Sequence, residues 1–151
     1  MTAYEISNSI ETLPSLNKIK SATKKSFAKL FVATSLTQSQ MQSLTDMICK
    51  DLGVETRSIA YGGTQPHKLG DTGKLVKKVF GTYRTNAIVF QIKIYKHTAK
   101  LGKVVANKTT LDTLLHEICH HLDYKLVRLA DSKHTAGFYK RISSLRNELL
   151  L

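Results

Sequence analysis

The run Thr109–Leu129 constrains the fold of this chain more than any other, because it reads as one amphipathic helix with two histidines opposite its apolar residues. At about 100° per residue, Leu111, Leu114, Leu115, Ile118 and Leu122 fall in one arc, with His116 and His120 nearly opposite. A fold that buries the leucine arc therefore presents the histidines on a separate face, as a helix lining a cleft requires. Thr109 or Thr110 is expected to cap this helix, with Asp112 in its first turn.

His116-Glu117-Ile118-Cys119-His120 fits the pattern H-E-x-x-H. Residues four apart lie almost above one another on a helix, so both imidazoles can reach one metal ion. Glu117 is rotated by about 100° from His116, which suits it to take a proton from a metal-polarised water rather than to ligate. These residue types at this spacing point to a zinc hydrolase, with a peptidase as the leading expectation. The competing reading is a pair of surface histidines on an amphipathic helix.

A catalytic zinc takes three protein ligands and a water. The metzincin histidine, six residues beyond His120, is excluded because that position is Leu126. Glu148 lies far along the last helical stretch. Asp123 shares the stripe of His116 and is read as an acceptor orienting a ligand histidine, or as a helix-surface charge. His134 is the preferred third ligand. It opens the last helix, where the helix dipole disfavours an imidazolium and keeps the ring neutral for a metal. His121 points away from the ligand stripe and is expected to border the core or bond a neighbour. His67 and His97 suit surface or nucleic-acid-facing roles. Cys119 is expected to be a small buried side chain, and Cys49 a second reduced thiol.

Elsewhere the periodicity predicts a helix over about Leu16–Val32 and a clearer one over Thr37–Leu52. In the second, Thr37 and Gln40 form a capping box and Gly53 a C-terminal stop. Thr56–Tyr61, part of Lys74–Tyr83, and Ile88–Tyr95 read as strands. Gly62–Pro66 reads as a turn, and Thr85-Asn86 as a hairpin turn. In the last of the strands, Ile88, Phe90, Ile92 and Ile94 share a face. Asp131-Ser132-Lys133 interrupts the helical pattern, and a final helix places Phe138, Ile142, Leu145 and Leu149 on one stripe. The expected class is α+β, a small antiparallel or mixed sheet packed with helices.

Charge is unevenly spread. The net charge is +12, and residues 54–108 hold eleven Lys/Arg against two acids. Such a concentration is the footprint of a polyanion, and DNA is the partner to expect there. The alternative is a solvated basic surface with no partner. No apolar run is long enough to span a membrane, and Met1–Lys20 lacks a secretory pattern, so a cytoplasmic protein is expected.

Leu114-Leu115-His116-Glu117-Ile118-Cys119-His120-His121-Leu122-Asp123, followed by His134-x-x-x-Phe138, resembles the SprT-like zinc metallopeptidases. Their pattern is H-E-x-x-H on one helix, then a histidine opening a helix with an aromatic residue four further on. The resemblance covers roughly residues 37–150, and its specific part is 114–138. It implies a zincin-like minimal metallopeptidase core in residues 35–151; residues 1–34, rich in lysine, read from their own pattern as a basic segment, either a helix docked on the core, the preferred reading, or a basic arm. It also implies Zn2+ held by His116, His120 and His134, and Glu117 as general base. Eukaryotic relatives of this kind cleave proteins crosslinked to DNA, which agrees with the basic middle segment. The chain departs from the family in having Thr135, not glycine, after His134, and no cysteines for a zinc ribbon.

Three functions are open at this point. The first is a zinc metalloendopeptidase acting on a protein or peptide, with Tyr124, Tyr139 or Arg141 as oxyanion donor and the edge of the Ile88–Tyr95 strand holding substrate. The second is a DNA-binding module with structural zinc or a vestigial peptidase site. The third is a regulatory protease specific for one repressor.

Overall fold

In the computed structural model, residues 1–63, 67–69, 75–78, 81–84, 91–97 and 104–151 are described. Helix predominates among them: α1 Ala3–Ser9, α2 Ser21–Phe31, α3 Gln38–Leu52, α4 Asn107–Lys125 and α5 Ala136–Leu150. The strands are short: β1 Ser58–Tyr61, β2 His67–Leu69, β3 Leu75–Lys78, β4 Gly81–Arg84 and β5 Gln91–Ile94. β5 lies between β1, which runs parallel to it, and β4, which runs antiparallel. β2 and β3 form a separate antiparallel pair. The hairpin turn expected at Thr85-Asn86, the expected face residues Ile88 and Phe90, and part of the Gly62–Pro66 turn lie outside the described residues.

The α3 boundaries follow from local chemistry. Thr37 Oγ1 accepts from Gln40 N–H while the Gln40 side chain accepts from Thr37 N–H, as the capping box requires. Gly53 ends the helix at φ 73°, a conformation that costs a side-chain-bearing residue about 1–2 kcal/mol. The helix expected over Leu16–Val32 is instead a 3-10 turn, Leu16–Lys18, followed by α2. The break has a tertiary cause: the Asp51 carboxylate of α3 accepts from both Lys20 N–H (2.9 Å) and Thr23 Oγ1 (2.5 Å), capping α2 from outside.

The helix carrying the histidines differs at both ends from its expected span. It starts two residues earlier, with Ala106 in the cap position, so Thr109 and Thr110 are interior and Asp112 lies beyond the first turn. No cap side chain serves this N-terminus; Asn107 is anchored by its amide to the carbonyl of Ala33. The helix stops at Lys125, short of Leu129, and Arg128 takes a left-handed φ of 66° that reverses the chain toward α5.

The core unites both halves of the sequence. Leu13, Ile19, Phe27 and Leu30 from residues 1–34 belong to one buried cluster with Leu44 and Ile48 of α3, Leu111, Leu114, Leu115, Ile118 and Leu122 of α4, and Phe138 and Leu145 of α5. Each fully buried leucine contributes about 1.5–3 kcal/mol relative to exposure. The expected leucine arc of α4 and apolar stripe of α5 are thus both inward. Ile92 and Ile94 of β5 are buried with them.

α1 is clamped onto the start of α5 at Gly137. A Cβ there would lie 2.5 Å from the Ser7 carbonyl oxygen and 2.6 Å from that of Asn8. Gly137→Ala is therefore expected to destabilise the protein by about 1–3 kcal/mol through overpacking. An unchanged midpoint in thermal melts of Gly137→Ala would show that α1 yields without cost.

Candidate metal centre

Three imidazoles converge where α4 meets the loop before α5. His116 Nε2 lies 3.2 Å from His134 Nε2, and His120 Nε2 lies 3.0 Å from the same atom. All three ligand atoms fall within 4.8 Å of one another, and the group can hold a metal ion. Two imidazole nitrogens on a tetrahedral zinc stand about 3.3 Å apart, given bonds of about 2.0–2.1 Å. The donor set and its spacing therefore fit a metal. Thr135, not His134, caps α5, its Oγ1 accepting from Phe138 N–H at 3.0 Å. His134 thus stands one residue outside the helix rather than opening it, free to fold back over α4.

The cluster is built on aromatic rings. Phe138, fully buried, stacks under His120 (centroids 4.5 Å apart) and meets His116 edge-on at 5.0 Å. Tyr83 of β4 stacks on His120 at 6.3 Å and on Tyr124 at 6.0 Å. The histidine-bearing side of α4 is consequently covered by neighbours, not open as the wheel alone suggests: His120 is only 9% exposed, and Glu117 5%. Burial lowers the pKa of His116 to about 4 and of His120 to about 3, with His134 adding to both effects. Both rings are neutral at neutral pH, the form a metal needs.

Glu117 stands beside the cluster without joining it. Its Oε1 is 4.0 Å from His116 Nε2, and burial pushes its pKa up to about 7. With His116 neutral, this contact is not an ion pair. A carboxylate held near neutrality next to a metal-binding group suits proton transfer.

His120 is oriented from behind. Its Nδ1 lies 2.7 Å from Ser132 Oγ, which is 2.7 Å from Asp123 Oδ2. Asp123 is fully buried and bridged by Arg141 through Nε–Oδ1 and Nη2–Oδ2, both 2.9 Å. The expectation of Asp123 as an acceptor behind a ligand histidine therefore needs a serine between them, and the surface-charge alternative is excluded by its burial. Arg141 is corrected more sharply. Its guanidinium is enclosed, donating also to the carbonyls of Ser7 and Ile10 (2.6 Å each) and to Ser7 Oγ at 3.1 Å. With its donors spent on the protein, Arg141 cannot serve an oxyanion and instead ties α1 to the centre.

The remaining sequence candidates separate. Tyr124 is engaged: its hydroxyl donates to Asp131 Oδ1 and accepts from Ser132 N–H, both at 3.2 Å. Tyr139 is 51% exposed, its ring lies 6.2 Å from His116 and 6.1 Å from His134, and its hydroxyl has no partner among the described residues. Glu148 lies at the far end of α5, paired with Lys24 at 3.2 Å. His121 is buried with both nitrogens committed. Nε2 donates to the Glu55 carbonyl at 2.6 Å, so Nδ1 accepts from the Tyr83 hydroxyl at 3.0 Å. Cys119 and Cys49 are buried free thiols. His97 pairs with Val104 in a β-bridge.

Sequence reasoning missed Ser132 and Tyr83. Ser132 lies in the Asp131-Ser132-Lys133 break of the helical pattern, and its place two residues before His134 is its sole local trace. Tyr83 has no sequence signal, since only the packing of β4 on α4 brings it to the histidines. Among the described residues no helix is long and apolar enough to cross a membrane. Comparison of the chain with protein-family models, with curated proteins and with solved structures finds no match.

Proposed function

We propose that His116, His120 and His134 hold a zinc ion and that the protein is a metalloendopeptidase of the SprT-like, zincin-like type. In this reading α4, α5 and the β1-β5-β4 strands make a minimal α+β peptidase core. The convergence of three Nε2 atoms beside a buried carboxylate outside the ligand set carries the reading. A purely structural site has no use for such a base.

When bound, zinc supplies a Lewis acid that polarises a carbonyl and acidifies water. Glu117 accepts the proton of the attacking water and delivers it to the leaving amine. Tyr139, half-exposed at the rim and without a hydroxyl partner among the described residues, is the remaining oxyanion candidate of Tyr124, Tyr139 and Arg141. An extended substrate finds no edge on β5, which is paired on both sides; β4, unpaired on its outer side among the described residues and packed on α4, takes that role.

A second reading rests on charge. The excess of lysine and arginine in residues 54–108 suits DNA, either as the place where a protein substrate is met or as the sole ligand of a binding module. Regulatory cleavage of a single repressor is the narrower form of the peptidase reading. Zinc-loaded protein assayed on casein, with and without DNA, separates these. Chelator-sensitive cleavage supports the peptidase, and DNA binding without cleavage of casein or of any DNA-bound protein supports the module.

A further inference from the structure

We propose that Ser132 is a positioning residue for the metal centre, relaying the buried Asp123 carboxylate to His120 and holding that ring in its Nδ1–H form. The proposal rests on the metal reading of the three histidines and deepens it.

The argument is one of donors and acceptors. A serine hydroxyl has one proton and two lone pairs. Asp123 Oδ2, 2.7 Å away and ion-paired with Arg141, can only accept, so the Ser132 proton goes to it. Ser132 Oγ is left with lone pairs, one facing His120 Nδ1 at 2.7 Å. That contact is attractive only if Nδ1 carries the proton. The lone pair of His120 then sits on Nε2, the atom 3.0 Å from His134 Nε2 within the cluster. The opposite tautomer would set two lone pairs against each other at Ser132 and turn an N–H toward the ion.

Asp123 cannot be supplied by chance side-chain motion, because it is fixed from the other side. Arg141 bridges both its oxygens, and is itself held by the carbonyls of Ser7 and Ile10. Ser132 is fixed in turn by its own N–H, which donates to the Tyr124 hydroxyl at 3.2 Å. The relay thus runs from the end of α1, through α5 and α4, to one ligand atom. Its serine comes from the loop that also carries His134, so the loop places the third ligand and orients the second.

Partners that orient metal-bound histidines typically change metal affinity by about 10–100-fold when removed. Full-length Ser132→Ala is expected to bind Zn2+ about 10–100-fold more weakly than wild type in competition with a chelator, with Ser132→Thr restoring most of the loss. A merely structural serine would not govern the tautomer, so the second readout is nitrogen-15 NMR of the imidazoles in metal-free protein. Wild type and Ser132→Thr should show His120 protonated on Nδ1, and Ser132→Ala should lose that preference. Fold loss in Ser132→Ala would leave the wild-type tautomer and the threonine variant to decide. Equal Zn2+ affinity in folded Ser132→Ala, or an Nε2–H His120 in wild type, overturns the relay and leaves the metal reading standing. A wild-type protein that binds no Zn2+ while keeping Nδ1–H overturns the metal reading, and with it the relay's role.

Discussion

His134→Ala should abolish stoichiometric zinc binding while leaving the helical fold in place. His134 is the exposed member of the three, sits outside α5, and makes its close nitrogen contacts with His116 and His120. The cap of α5 is Thr135, whose bonds to Phe138 N–H and Ser7 Oγ do not involve the histidine ring. Its removal therefore subtracts a donor without opening the core. Two imidazoles on α4 remain, one short of the three protein ligands of a catalytic zinc site. The loss of affinity should exceed the roughly 10–100-fold that follows from losing a residue behind a ligand. Metal-to-protein ratios after dialysis, with circular dichroism to verify the helices, measure both halves of this expectation. Zinc content equal to wild type would remove His134 from the ligand set.

Glu117→Gln should do the reverse, retaining zinc and losing turnover by about 10²–10⁴-fold. Glutamine keeps the shape of the side chain and cannot accept the proton of the attacking water. Metal should stay, because the carboxylate is 4.0 Å from the nearest ligand nitrogen of His116 and outside the three-histidine group. Stability should not fall either. Burial raises the pKa of Glu117 from 4.5 to about 7, so the ionised form is disfavoured in the folded protein. For a raised carboxyl pKa, the folded state binds the extra proton, and stability is lost as pH rises from the unfolded value through about 7. A neutral glutamine escapes that loss. Metal-free Glu117→Gln should melt at or above wild type at pH 8. Undiminished proteolysis by the zinc-loaded variant would dismiss Glu117 as the base.

Much of this arrangement is legible in the sequence. The leucine arc of α4, the capping box of α3 and the stripe of α5 are local patterns, set by the helical repeat, and they lie where the pattern places them. His134 was reachable by elimination and by resemblance. What escaped depends on contacts distant in sequence. Arg141 looks like an available cation near the site, yet it is consumed by residues 18 to 134 positions away. Asp123 is legible as an acceptor toward a histidine of its own stripe, but the serine that joins it to His120 and the arginine that buries it come from the loop after α4 and from α5. The start of α4 misled because its anchor, the Ala33 carbonyl, comes from another element.

The sequence by itself determined that His116 and His120 face one way, because four residues on an α-helix return the chain to nearly the same side. It also determined that Glu117 stands beside those histidines rather than in line with them. Only the tertiary structure decided that the His134 nitrogen closes to 3.0–3.2 Å of the other two, that Phe138 and Tyr83 both stack on His120, and that Ser132 reaches the other nitrogen of that ring. Those features require a loop to be folded back and polar groups to be buried in matched pairs. Such matching is a property of packed surfaces and leaves no period in the chain.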